Sequence, residues 1–428
     1  MHRLLWICLF TILTTLTLQS NNLEQLLIIE MSRHGARTPE LSMEKVKWMR
    51  NLQPFQVTFT GLIQHFKIGE KMKQNYPELF KGITKDEITV RTSNTQRAVF
   101  SALAQLASIL NSNTMQFPND DFRYLFPNLG VETAETYDEY YKEFSHLMEE
   151  VNLNRPGVLK DPILRFANGK NCKNRREFYI ENYKKYVPTM FTANPEFERM
   201  IKEAAKILKL PNELSDGDLW NSCIRMGDFV NQDVLHNKKP LIPKDTKMFK
   251  LLESCYQLEV LLKFCHPGMI PAAISAFVDE LIKTLNERAN GNSSLKFYLF
   301  VGHDTSLAPI LTAAGILDTH CFFDSAVAGK ESDCTEAFPM TAAHLDFILL
   351  RDNTTNKNFV QTVYNDKPVR ICDNSEESDG YLCELSEFSV FWAEMTDSDA
   401  DNFCESPKYF SEVSHRKSTL FANRKGLK

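Results

Sequence analysis

Residues 31–40 of the sequence read MSRHGARTPE and place one histidine between two arginines. Arg33 and Arg37 stay charged at any physiological pH, and a guanidinium matches a tetrahedral oxyanion with two parallel hydrogen bonds. The imidazole of His34 is a nucleophile when neutral, and nearby positive charge keeps it neutral to a lower pH than usual. Such a cluster is costly to assemble without an anion, and a phosphoryl group is the natural one. The segment therefore indicates phosphoryl chemistry with His34 as the attacking group.

Two further segments share the layout of this one, in which an apolar run leads into polar residues and then a helical pattern. Residues 88–97 read ITVRTSNTQR, and residues 297–305 read FYLFVGHDT. Ligands of an open parallel sheet bind beyond the carboxyl ends of its strands, so polar side chains at three such ends can converge. The expected cluster therefore also contains Arg91, His303 and Asp304.

Asp304 completes the chemistry as a proton donor to the leaving alkoxide and then as a base towards the attacking water. It must be protonated in the free protein to begin the first step, which predicts an acidic pH optimum. The arginines already neutralise the phosphate, so neither a metal nor a cofactor is expected. A structural alternative stays open, in which His303 and Asp304 only cap a helix over residues 306–314 and Arg91 forms a salt bridge.

The chain has 428 residues with 43% apolar and 24% charged side chains, which is typical of a globular protein. Its formal net charge of −6 gives no sign of nucleic-acid binding. The arginine cluster is thus a local concentration of positive charge and not part of a basic surface.

Alternating apolar runs and helical patterns at both ends of the chain predict an α/β fold with a mixed, mainly parallel sheet flanked by helices. Residues 344–350 and 358–364 are expected to form a hairpin at the sheet edge. The core is expected to comprise residues 21–117 and 272–428. Residues 118–271 are rich in helical, charged and aromatic segments, and we interpret them as an inserted helical cap subdomain.

Residues 1–20 have the build of a secretory signal peptide, with one early arginine, an apolar stretch and small residues after it. The alternative, a membrane anchor, is weaker because the stretch is short and rich in threonine. Of the ten cysteines, Cys8 lies in this segment, and the remaining odd number predicts disulfides with at least one unpaired thiol. Asn292 and Asn353 begin glycosylation sequons.

Residues 33–39, RHGARTP, resemble the first signature of the histidine phosphatase superfamily in its acid phosphatase branch. Residues 302–305, GHDT, resemble the second signature of that branch, and residues 59–69 and 90–97 are similar to its intermediate blocks. The resemblance implies a mixed α/β sheet with a helical cap, His34 as nucleophile and Asp304 as proton donor. The phosphate ligands that it implies are Arg33, Arg37, Arg91 and His303. Arg97, past the strand end, is interpreted as a packing or salt-bridge residue.

The resemblance implies an acid phosphatase that hydrolyses a small-molecule or protein phosphomonoester. The signal peptide, the cysteines and the sequons predict that it is secreted or lysosomal, disulfide-bonded and glycosylated. One alternative is a phytase or inositol polyphosphate phosphatase, which needs further basic residues around the pocket. Another is a non-catalytic phospholigand-binding protein, which has no need of His34 and Asp304. We expect no nucleic-acid partner and no stable membrane anchor, and leave a homodimer open.

Overall fold

The protein is represented by a computed structural model that describes residues 23–41, 46–49, 52–110, 153–154, 163–164, 172–210, 218–328, 337–372 and 381–404. The expected signal peptide, residues 1–20, lies outside these ranges, as do the first residues of the expected cap. In the part of the chain that the structure describes, no helix combines the length and the apolar character needed to cross a bilayer.

A single mixed sheet of eight strands forms the centre of the described structure. The strands are β1 (Leu23–Arg33), β2 (Ile88–Thr92), β3 (Leu153–Asn154), β4 (Phe297–Gly302), β5 (His344–Asp352), β6 (Asn358–Tyr364), β7 (Lys367–Val369) and β8 (Leu382–Glu384). Their order is β3-β2-β4-β1-β5-β6-β7, and β8 pairs with β6. The first four strands in this order are parallel, and the remaining pairs are antiparallel. The sheet confirms the predicted mixed fold, and β5 and β6 form the predicted antiparallel pair.

Helices cover both faces of this sheet, which explains why β1 and β4 are apolar without alternation. The helices are α1 (Phe59–Asn75), α2 (Pro77–Phe80), α3 (Gln96–Leu110), α4 (Lys173–Ala193), α5 (Phe197–Ile207), α6 (Leu219–His236), α7 (Lys247–Phe264), α8 (Ile270–Ala289), α9 (Asp304–Ala313), α10 (Thr319–Ala328) and α11 (Leu385–Glu394). Ile28 of β1 packs in one buried cluster with side chains of α1 and α3. Ile29 packs in the other cluster, which includes side chains of α7 and α8.

The described residues from 172 to 264 are largely helical, as the sequence predicts. Asp218 caps α6 by accepting hydrogen bonds from two backbone N–H groups, and Thr246 caps α7 by accepting one from the N–H of Phe249. One strand of the sheet, β3, nevertheless comes from the region predicted to be a cap. The domain boundaries near residues 118 and 271 stay a prediction.

Disulfides are present among the described residues, as the cysteine content predicts, and one of them joins positions 232 residues apart. The pairs among the described residues are Cys172–Cys404, Cys223–Cys255 and Cys372–Cys383. Cys265 is buried as a free thiol. Asn292 and Asn353 are both exposed, and their glycosylation stays a prediction.

Candidate functional site

The site begins where two neighbouring parallel strands end side by side. Arg33, the last residue of β1, lies opposite Gly302, the last residue of β4, in the strand register. The next residue of each strand is a histidine, and the backbone N–H of His34 donates to the carbonyl of Gly302 over 3.1 Å. The rings of His34 and His303 therefore lie edge to face with their centroids 5.4 Å apart. The structure thus brings together the two histidines that the sequence predicts to meet.

The imidazole of His34 is buried and held in one tautomer. Its Nδ1 lies 2.9 Å from the backbone carbonyl of Gly35, and a carbonyl can only accept a hydrogen bond. In the neutral ring Nδ1 therefore carries the proton, and Nε2 keeps its lone pair. Burial is the largest cause of a His34 pKa well below its ordinary value, and surrounding positive charge lowers it further. The charged neighbours, in decreasing order of effect, are Arg97, His303, Arg33 and Arg37.

The loop that carries His34 is fixed by a backbone contact with α1. A Cβ atom on Gly35 would collide with the carbonyl of Gly61, and a Cβ on Gly61 would collide with the carbonyl of Ala36. Only glycine fits at both positions, so the RHGAR segment can lie directly on the first turn of α1. The N–H of Gly35 also donates to the hydroxyl of Ser101, 2.9 Å away on α3. These contacts with α1 and α3 therefore hold the segment that carries His34 in a fixed position.

Arg33 connects the first signature to the second. Its Nη2 lies 2.9 Å from Oδ2 of Asp304 and donates to the hydroxyl of Tyr256 over 2.8 Å, while Nη1 donates to the carbonyl of Pro339 over 2.7 Å. The side chain is almost fully buried, and its Nε has no hydrogen-bond partner among the described residues.

Arg37 is paired with a carboxylate from the helical region. Both terminal nitrogens of the guanidinium donate to Asp228 of α6, over 3.0 and 2.8 Å. Burial lowers the pKa of Arg37, but the charge of Asp228 outweighs burial and raises it. The Nε of Arg37, like that of Arg33, has no partner among the described residues. Sequence reasoning missed Asp228 because it lies 191 residues away in an ordinary helical pattern.

Arg97, not Arg91, is the arginine of the second segment that reaches the site. Arg91 is the second-last residue of β2 and pairs with Phe300, but its side chain makes a hydrogen bond with Tyr298, which lies near the amino end of β4. Arg97 begins α3 beyond the strand, and its Nη2 lies 3.5 Å from Nδ1 of His303. The side chain of Arg91 therefore does not join the two histidines as expected, and Arg97, interpreted as a packing or salt-bridge residue, lies beside His303 instead. A residue in the first helical turn after a strand lies at the binding edge, and this signal identifies Arg97.

His303 and Asp304 follow β4 at the start of α9. The Nε2 of His303 lies 2.9 Å from the hydroxyl of Ser93. Asp304 is buried and accepts hydrogen bonds from the hydroxyl of Tyr256 over 2.6 Å and from the N–H of Thr305 over 2.8 Å. Tyr256 belongs to α7, and no local sequence signal pointed to it.

The electrostatics of Asp304 differ from expectation. Burial raises its pKa, but the charge of Arg33 and the hydrogen bond from Tyr256 outweigh burial, so the pKa lies below its ordinary value. Asp304 is therefore ionised at mildly acidic pH when no anion is bound. This corrects the expectation that it is protonated in the free protein.

A second cluster of titratable side chains lies on the sheet face that α1 and α3 cover. Glu30 of β1 lies directly opposite Asp346 of β5, and both are buried. The amide of Gln105 donates to Glu30, and its oxygen lies 3.0 Å from Nδ1 of His65, whose Nε2 lies 3.0 Å from the carbonyl of Arg33. A buried polar chain thus connects the carboxylate pair with the backbone of the first signature.

Comparison with known proteins identifies the family and the fold. The model of the histidine phosphatase superfamily (branch 2) matches residues 23–365. A probable acid phosphatase of Dictyostelium discoideum is 22% identical over 410 residues, which cover 84% of this chain and 76% of that protein. The lysosomal acid phosphatase of Rattus norvegicus is 21% identical and covers 66% of this chain and 61% of its own length. The phytase of Citrobacter braakii superposes with a TM-score of 0.60 at 12% identity, covering 88% of this chain and 99% of that one, which shows the fold alone.

Proposed function

Because the chain belongs to the histidine phosphatase superfamily (branch 2), we propose that it is an acid phosphatase that hydrolyses phosphate monoesters through a covalent phosphohistidine on His34. One observation carries the proposal. The buried, neutral imidazole of His34 lies among Arg33, Arg37, Arg97 and His303, at the strand ends where Asp304 is also found. No structural role requires so much positive charge around one uncharged ring.

The first step is capture of the phosphate. The guanidinium groups of Arg33, Arg37 and Arg97 and the ring of His303 surround the imidazole of His34. Guanidinium groups match the tetrahedral oxygens of a phosphate anion with charge-assisted hydrogen bonds. The pairing of Arg37 with Asp228 keeps that side chain in place before the anion arrives.

The second step is attack on phosphorus. The lone pair of His34 Nε2 forms the N–P bond while the P–O bond to the leaving alcohol breaks. The ring becomes positively charged in this step, and its Nδ1–H remains hydrogen-bonded to the carbonyl of Gly35. The arginines stabilise the negative charge on the non-bridging oxygens during transfer.

The third element is the proton that the leaving oxygen needs. Asp304 is ionised in the free protein because Arg33 stabilises its charge. A bound phosphate dianion competes for Arg33 and adds negative charge nearby, so substrate binding raises the pKa of Asp304 and favours uptake of a proton. Protonated Asp304 then donates to the leaving oxygen, and the resulting carboxylate takes a proton from the water that cleaves the N–P bond. The proposed acidic optimum follows from this uptake.

A phytase or inositol polyphosphate phosphatase is the second candidate, and the likeness of the fold to a phytase supports it. Relative turnover of inositol hexakisphosphate and an aryl phosphate decides between the two. A non-catalytic phospholigand-binding protein is less well supported, because the site keeps both a nucleophile and an acid.

The test is the variant His34→Ala with an aryl phosphate between pH 4 and 7. We expect activity to be abolished, whereas His320→Ala, which changes an exposed histidine of α10, leaves it intact. Wild-type activity should survive EDTA, and rapid quenching of the wild type on labelled substrate should trap one acid-labile phosphoryl group per chain. Full activity in the His34 variant refutes the covalent role.

A further inference from the structure

Phe55 lies at the mouth of the site although its ring is not part of the core. The side chain is 40% exposed. The guanidinium carbon of Arg37 lies 5.0 Å from the ring centroid, and that of Arg97 lies 5.8 Å from it. An aromatic ring therefore separates two of the arginines of the anion site from solvent on one side.

The backbone of Phe55 is held in a conformation that its side chain disfavours. Its φ is +64°, in the left-handed region where glycine or asparagine is usual. The N–H of Phe55 donates to the carbonyl of Thr38 over 3.1 Å, and the N–H of Thr38 donates to the carbonyl of Gln56 over 2.8 Å. These bonds tie the turn to the residue that follows Arg37. Strained backbone of this kind is concentrated at functional sites, where its surroundings hold it in place.

Neither packing nor solubility explains an exposed phenylalanine in a strained turn. Burial of the ring contributes little to the core at this exposure, and asparagine would relieve the strain. The guanidinium groups explain the position of the ring, since cations are attracted to the π face. When these guanidinium groups hold the phosphate of an ester, the exposed part of the ring can contact the alcohol group of that ester.

We propose that Phe55 forms an aromatic subsite for the leaving group, which selects phosphate monoesters of aryl or other flat apolar alcohols. The inference rests on the proposed function for the reaction, although ligand binding tests it separately. The phosphate occupies the site of Arg33, Arg37 and Arg97, and the apolar group of the ester packs on the ring of Phe55. A multiply phosphorylated alcohol meets an apolar surface at this position and gains no hydrogen-bond donor from it.

The test is the variant Phe55→Asn, which removes the ring and suits the left-handed backbone. Binding of phenylphosphonate and methylphosphonate by calorimetry measures the subsite without any catalytic step. We expect phenylphosphonate to bind roughly threefold to tenfold more weakly to the variant, the range typical of one aromatic pair, while methylphosphonate binds as before. Phe55→Tyr should restore the wild-type preference.

Kinetics provide the second measurement. With 4-nitrophenyl phosphate, Phe55→Asn should raise KM by a similar factor and change kcat little, and KM for glycerol phosphate should stay constant. Tyr381→Asn is the matched control, because Tyr381 is also an exposed aromatic residue. It precedes β8, and β8 pairs with the part of β6 that lies away from His34.

The outcomes separate the two proposals. An equal loss of affinity for both phosphonates, or no loss for either, overturns the aromatic subsite whatever the activity. A wild-type protein that binds both phosphonates with the expected preference but hydrolyses no ester overturns the proposed function and leaves the subsite standing.

Discussion

Replacing Glu30 by glutamine should stabilise the protein at pH 8 and leave its stability at pH 5 unchanged. Glu30 is fully buried, and burial together with the charge of Asp346 raises its pKa from 4.5 to about 8. The folded state therefore binds this proton more tightly than the unfolded state does. A carboxyl group whose pKa is higher in the folded state stabilises the protein fully at a pH below its pKa in the unfolded state. This stabilisation is lost as the pH rises to its pKa in the folded state. The loss falls between about pH 4.5 and pH 8.

The magnitude follows from the same shift. A change from 4.5 to about 8, at roughly 1.4 kcal/mol for each unit, corresponds to about 5 kcal/mol. Glu30 and Asp346 titrate as a pair, so about 5 kcal/mol is an upper bound for the Glu30 substitution. Typical folding free energies are about 5–15 kcal/mol, so even half of this value is measurable. Glutamine keeps the shape of the protonated acid and needs no proton.

Urea unfolding of the wild type and of Glu30→Gln at pH 5, 6.5 and 8 is the assay. The two proteins should agree at pH 5, and the variant should be more stable by a few kcal/mol at pH 8. Glu24→Gln, an exposed position on the same strand, should show no difference that depends on pH. Burial lowers the pKa of His344, but the charges of Asp346, Asp366 and Glu30 outweigh burial and raise the value to about 9, so this histidine stays protonated through most of the range in the wild type. A difference that does not vary with pH, or a variant less stable at pH 8, refutes the reasoning.

Two further substitutions test the site. Tyr256→Phe removes a hydrogen bond to the carboxylate of Asp304 and should raise its pKa, because that bond stabilises the charged form. The alkaline limb of the kcat/KM profile should move to higher pH, and an unmoved limb contradicts the role of Asp304 as the acid. Asp228→Asn leaves the buried guanidinium of Arg37 without its counter-charge and should cost about 3–5 kcal/mol in denaturant unfolding. Inorganic phosphate should recover part of this loss, and a variant as stable as the wild type without phosphate contradicts it.

The parallel strand ends were predictable because their signals are local. An apolar run followed by polar residues and a helical pattern marks each of them, and parallel strands place their carboxyl ends at one edge. His34 and His303 can be paired in this way from the order of residues alone, and the register of β1 and β4 confirms the pairing. The left-handed turn at Phe55 carries no comparable signal, because neither glycine nor asparagine occupies that position.

Local sequence signals do not decide which arginine after β2 reaches the site. Arg91 and Arg97 both follow the same apolar run, and the choice between them depends on which way each side chain points. Val90 and Thr92 are buried beside Arg91 in the strand, so alternation directs Arg91 to the opposite face, where it meets Tyr298. Arg97 lies past the end of the strand, so its side chain can reach the carboxyl ends of the parallel strands.

The sequence by itself indicated the chemistry proposed for this protein, since a histidine among arginines and a later His-Asp pair predict an anion site with a nucleophile and an acid. Only the tertiary structure decided how that chemistry is controlled. Tyr256 and Asp228 arrive from helices 48 and 191 residues away from their partners and set the charge of Asp304 and the position of Arg37. The physical reason is that a pKa depends on burial and on charges within a few ångströms, and chain folding alone brings those charges together.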